Sequence, residues 1–110
     1  MTQQYTRTND GRVELARSGD AQAIEELRAE YVARTRRLAW SFAQSSGLDV
    51  EDLVQDVEVR FFVKWHLIIN AKNPLPYACK VARNHLINKY RKVARRRQIA
   101  PMMPLVEGWC

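Results

Sequence analysis

The amino-acid sequence predicts an all-α fold, a compact bundle of three to four helices followed by a C-terminal linker or tail. Three observations carry this expectation. Apolar residues recur at three- and four-residue spacings in three long stretches. An aspartate or a proline suited to a helix start stands before each stretch, and Gly19, Gly47 and the Asn/Pro-rich segment around residue 73 separate them.

In chain order, DGRVELARSGD places Asp10 to cap a short helix of two turns and Gly19 to end it, with Val13, Leu15 and Ala16 as its few apolar contacts. Asp20 can cap the next helix, over about 21–45, in which Ile24, Leu27, Tyr31, Leu38 and Phe42 form one stripe and Gly47 is the stop. Asp49 then stands as a cap, with Glu51 and Asp52 in the first turn, where the positive end of the helix dipole favours carboxylates. The third long pattern runs from about Val50 to His66. Leu53, Val54, Val57, Phe61 and Trp65 make its buried face, and Asp52, Gln55, Asp56 and Arg60 make an outer one.

The segment NAKNPLP reads as a loop, with Pro76 suited to the first turn of a helix over about 76–97. In that helix Cys79, Ala82, Leu86, Tyr90 and Val93 share one face, and the opposite side is almost purely basic. From Ile99 onward two prolines, a glycine and the loss of helical period predict a linker or tail.

At 110 residues, with 46% hydrophobic and 27% charged residues, the chain has the size and composition of one globular domain. No stretch approaches the roughly 20 apolar residues a membrane span needs, and the polar start lacks a signal-peptide core, so a cytoplasmic location is expected. The two cysteines, Cys79 and Cys110, lack metal-ligand spacing and read as free thiols.

The net charge of +6 is unevenly placed. Residues 1–58 carry 7 Lys and Arg against 11 acids, and residues 59–110 carry 11 against Glu107 alone. A second half so basic points to a polyanion, because Lys and Arg neutralise phosphates and release condensed counterions.

No Gly-rich phosphate loop, HExxH or nucleophile elbow is present, so neither catalysis nor a cofactor is expected. Asp49, Glu51, Asp52 and Asp56 are read as dipole-stabilising and partner-facing carboxylates and not as metal ligands, since one helix rarely supplies enough oxygens.

Three segments, in one order, carry a resemblance. ARSGDAQAIEELRAEYVARTRRLA, DVEDLVQDVEVRFFVKW and PYACKVARNHLINKYRKVARRR resemble the opening, polymerase-binding and promoter helices of the sigma-70 family of transcription initiation factors, most closely its extracytoplasmic-function branch. The most specific pairing is EDLVQD followed about 25 residues later by a VARN-type segment and a basic run.

The resemblance implies a region 2 domain over residues 1–97 and a linker or tail over 98–110, with no second DNA-binding domain, as in a domain excised from a longer sigma factor, one subunit of a two-protein sigma factor or a truncated product. It implies that Asp52, Gln55 and Asp56, with Leu53 and Phe62 as apolar contacts, bind the clamp coiled coil of the largest subunit of core RNA polymerase. It implies that the −10 element is read as an unpaired non-template strand, one base being received by the loop that holds Asn70, Lys72 and Asn73 and runs to Leu75, with Tyr77 placed to stack on a base or to fill the core. Lys80 and Asn84 fall at DNA-contacting positions, and Arg83, Lys89, Arg91, Lys92, Arg95, Arg96 and Arg97 would hold phosphates. An anti-sigma factor is a further expected partner, and the domain alone is expected to be monomeric.

The sequence departs from the branch at Glu58, where a large apolar residue is usual, at Tyr77, where tryptophan is usual, and in the tract HLIINAKN. Two other readings of the residues stay open. One is a protein that binds polymerase or an anti-sigma factor without reading DNA; the other is a plain basic helical DNA binder.

Overall fold

The computed structural model describes residues 10–97, with Asp10 described by its backbone alone. Five helices make up these residues: α1 (Asp10–Arg17), α2 (Ala21–Ser46), α3 (Val50–Val63), α4 (Trp65–Ile69) and α5 (Pro74–Arg96). The all-α expectation is met. The expected linker lies outside the described residues.

Local chemistry sets the helix ends. Asp20 Oδ1 accepts from the amides of Gln22 (3.0 Å) and Ala23 (3.2 Å), and Asp49 Oδ1 accepts from Glu51 (2.8 Å), which satisfies donors that have no partner within their helices. Gly47 ends α2 with φ of 76°, a left-handed conformation that costs a glycine little, and its amide closes back on the Ala43 carbonyl. Arg97 Nη1 donates to the Ser46 carbonyl at 2.8 Å, so the end of α5 caps the end of α2.

α2 is the central post. It packs against α1, α3 and α5; α3 and α5 also pack on each other, and α4 bridges α3, α5 and α1. The core takes Leu27, Tyr31, Leu38 and Phe42 from α2, Leu53, Val57 and Phe61 from α3, and Ala78, Ala82 and Leu86 from α5. Two aromatic pairs join the helices: Tyr31 with Trp65 at 5.9 Å and, edge to face, Phe42 with Tyr90 at 6.0 Å. The buried hydroxyls of Thr35 and Ser46 donate to carbonyls one turn back, so neither burial leaves a polar group unsatisfied.

Three boundaries differ from the sequence reading. Asp10 is the first helical residue of α1 and not the cap before it. The third helix stops at Val63, because Lys64, with φ −102° and ψ 16°, leaves helical geometry before α4 begins. No glycine or proline marks that break; Trp65, Ile68 and Ile69 are instead drawn onto the core from a new direction. The last helix begins at Pro74, two residues early, since two prolines in its first turn lack only amides that would have had no partner there. The preceding loop shortens to residues 70–73.

The reading of Cys79 as a free thiol is corrected: it is disulfide-bonded, and no described cysteine is free. A thiol's partner depends on which segment the fold brings to it, and spacing along the chain does not report that. Cys110 lies outside the described residues.

Candidate polymerase and nucleic-acid interfaces

The outer side of α3 carries two chemistries in sequence. Asp52 and Gln55 are exposed in its first half, Glu58 just past its middle, and Val59, Phe62 and Val63 toward its end, with Phe62 66% accessible. Large apolar side chains left in water cost the isolated domain about 25 cal/mol per Å² and read as a surface awaiting a partner. The Arg28 guanidinium, from α2, lies over the Phe62 ring, 5.1 Å from its centroid.

The residues expected at the polymerase contact do not all lie on that surface. Asp52, Gln55 and Phe62 do. Leu53 is 1% exposed and sits in the core, since it belongs to the apolar stripe that seats α3 on α2, so it is withdrawn from the contact set. Asp56 is half-buried and turns toward α5, where it pairs with Lys89; His85 Nε2 stands 3.9 Å from the same carboxylate. Glu58, out of pattern for an apolar position, is exposed, so the fold carries no buried charge there.

Along α5 the exposed side presents Lys80, Asn84, Asn88, Arg91 and Arg95 at three- and four-residue intervals, one stripe of cations and carboxamides, with Tyr77 half-buried against the core at its start. Two hollows lie beside it. One, of about 180 Å³, is lined by Arg60 and Lys64 together with Tyr77, Lys80, Val81, Asn84, His85 and Asn88. The other, of about 490 Å³, continues along the helix past Lys89, Lys92 and Arg96 and shares Arg60, His85 and Asn88 with the first. Together they make a basic trough between α3 and α5. Its cations can hold phosphates, and its amides can pair with base edges.

His85 lies at the floor of this trough. Burial pushes its pKa below the ordinary 6.5; the Asp56 carboxylate pulls it back up, while Arg60 and Lys89 push it further down. Burial likewise raises the Tyr31 phenol, with Glu30 adding to the effect.

A third hollow, of about 320 Å³, lies on the far side of the helix start. Lys72, Asn73, Pro74, Leu75 and Pro76 form one wall, and Val13, Glu14 and Arg17 of α1 form the other. The DNA-facing residues expected from sequence thus fall at two places. Lys72 and Asn73 line the hollow against α1, and Tyr77, Lys80 and Asn84 line the trough against α3. Asn70 turns back and donates to the His66 carbonyl at 2.8 Å.

Arg83, Arg91 and Arg95 are exposed and line none of these hollows; Lys92 and Arg96 line the trough; Lys89 is bound to Asp56 and Arg97 to Ser46. Arg60, Lys64, Asn88 and Arg17 were not anticipated. Asn88 could have been found from its four-residue offset to Asn84; the others face their sites only through packing between helices.

Among the described residues no group of three His, Cys, Asp or Glu could hold a metal ion, and no helix is long and apolar enough to cross a membrane.

The described helices thus carry an acidic-to-apolar stripe on α3 and a basic, amide-bearing trough between α3 and α5. The family model for sigma-70 region 2 matches residues 19–97, and the chain belongs to that family. Region 2 domains are transcription initiation modules that bind core RNA polymerase and recognise the promoter −10 element. Comparison with curated proteins and with solved structures gave no match.

Proposed function

We propose that this domain is the region 2 module of an extracytoplasmic-function-type sigma factor, with residues 1–97 as the polymerase- and promoter-binding domain and 98–110 as a linker or tail. The observation that carries this reading is the separation of the two faces: acids and the exposed Val59, Phe62 and Val63 on the outside of α3, cations and carboxamides on α5.

Asp52, Gln55 and Phe62 meet the clamp coiled coil. The acids steer and orient the approach, and Phe62, with Val59 and Val63, supplies most of the binding energy. Asp56 acts one step back, fixing Lys89 and the register of α5 against α3.

On the other face Lys80, Arg91, Lys92, Arg95 and Arg96 hold the phosphates of an unpaired non-template strand, with Arg60 and Lys64 closing the trough. Asn84 and Asn88 meet base edges, Tyr77 offers a ring for stacking, and one extruded base enters the hollow between α1 and the loop at Lys72 and Asn73. The domain works in the cytoplasm, is monomeric by itself, and is open to an anti-sigma factor that covers the same exposed stripe.

Binding to purified core polymerase tests this reading. The informative variant is Asp52→Arg with Gln55→Ala, since both side chains are exposed and Asp56, which pairs with Lys89, is left intact. Asp56 is avoided, because a cation there would face Lys89. The double variant is expected to melt slightly below the parent, because a cation replaces a carboxylate in the first turn of α3, and to bind polymerase at least tenfold more weakly; equal binding would remove the α3 surface from the account.

A further inference from the structure

The loop before α5 is held from outside by one residue of α1. Arg17 Nε donates to the Ile69 carbonyl at 2.8 Å, and Nη2 donates to the Ala71 carbonyl at 2.9 Å, across more than fifty residues of sequence. Its third nitrogen, Nη1, pairs with Glu14 at 3.0 Å, which orients the guanidinium plane. The Ile69 carbonyl ends α4 and the Ala71 carbonyl belongs to the loop, so the bonds fix the segment just before Lys72 and Asn73. Arg17 and Glu14 also line the hollow whose opposite wall is that same segment.

We propose that Arg17 is a positioning residue for −10 base capture, acting through the backbone of the loop to keep the hollow between α1 and the loop formed before DNA arrives. This rests on the reading of that hollow as the base-receiving site. A base entering a preformed site does not have to order the loop, and that ordering would otherwise weaken binding. The planar fork is required because two carbonyls must be met at once; a lysine ammonium, a single point on a flexible stem, cannot hold both in register.

The experiment uses the chain bound to core polymerase and a set of forked oligonucleotides. Each unpaired non-template position is varied through the four bases and an abasic site. Affinities are measured for the parent, Arg17→Ala and Arg17→Lys, alongside thermal melting and polymerase affinity. The parent is expected to lose about tenfold or more at one position when its base is removed. Both variants are expected to keep polymerase binding, to lose about tenfold on the matched oligonucleotide, and to respond little to the abasic site.

A variant with the parent's base profile overturns the proposal. So does one that weakens on every oligonucleotide equally, the abasic one included, since that marks a general structural role. Should Arg17→Ala not fold, Arg17→Lys decides alone by the same criteria. A parent without base dependence at any position instead refutes the base-receiving site, and this inference with it.

Discussion

Truncating Phe62 and truncating Leu53 should have opposite consequences, although the two stand on one helix nine residues apart. A phenylalanine side chain offers about 200 Å² for burial, and Phe62 is 66% exposed. A partner could therefore cover about 130 Å², worth about 3 kcal/mol at 25 cal/mol per Å², or roughly a hundredfold in dissociation constant. In the free domain Phe62→Ala loses little beyond its contact with Arg28, about 0.5–1 kcal/mol. Leu53, 1% exposed, has nothing to offer a partner, and Leu53→Ala should cost about 2–5 kcal/mol of folding stability through lost burial and a cavity.

Chemical denaturation and polymerase titration of both variants make the comparison. The account expects Phe62→Ala to unfold near the parent's midpoint and bind far more weakly. Leu53→Ala should be strongly destabilised and, at temperatures where it remains folded, should bind as the parent does. A Phe62 variant as unstable as the Leu53 variant, or one that binds undiminished, would refute this partition of α3.

Further outcomes follow from the same geometry. His85 has its pKa lowered in the fold, chiefly by burial, so the unfolded chain takes up a proton first as pH falls; the associated stability is complete above about 6.5 and declines below it. His85→Gln should flatten that part of the stability profile, and an unchanged slope would show that His85 does not cause it. Gly47→Ala forces a side chain into φ of 76°, with its Cβ 3.4 Å from Arg97 Nη1, and should cost about 1 kcal/mol or more in denaturant titration. Lys80→Ala with Arg95→Ala should weaken polymerase-dependent DNA binding across sequences and lower the salt slope by about 1.4 for a single strand, measured as log affinity against log salt.

Where an apolar period ran unbroken, the sequence was read well. The stripes of α3 and α5 are buried as the spacing predicts, and that of α2 is too except for the half-buried Ile24, because helical spacing decides which side chains can share a face; Leu15 of α1, expected as an apolar contact, is exposed. The break at Lys64 has no sequence signal, since it carries no glycine or proline and goes with the packing of Trp65, Ile68 and Ile69. Leu53 shows the reverse case. Its own stripe placed it inside, and only the family resemblance moved it to a surface. The trough and the loop clasp depend on contacts between distant segments: Arg60 and Lys64 lie opposite Asn84, and Arg17 lies beside Ala71. No local pattern announces such pairs, so the basic charge was visible early while its arrangement was not.

The central claim is that one small domain joins polymerase to an opened −10 strand, and the most direct test compares two DNAs in the presence of core polymerase. One is a promoter fragment whose non-template −10 strand is unpaired; the other is the same fragment fully duplexed. The account predicts polymerase-dependent binding that favours the unpaired fragment and falls on Lys80→Ala, Asn84→Ala substitution. Equal binding to both fragments, with or without polymerase, would contradict it and leave a basic helical protein that holds DNA by charge alone.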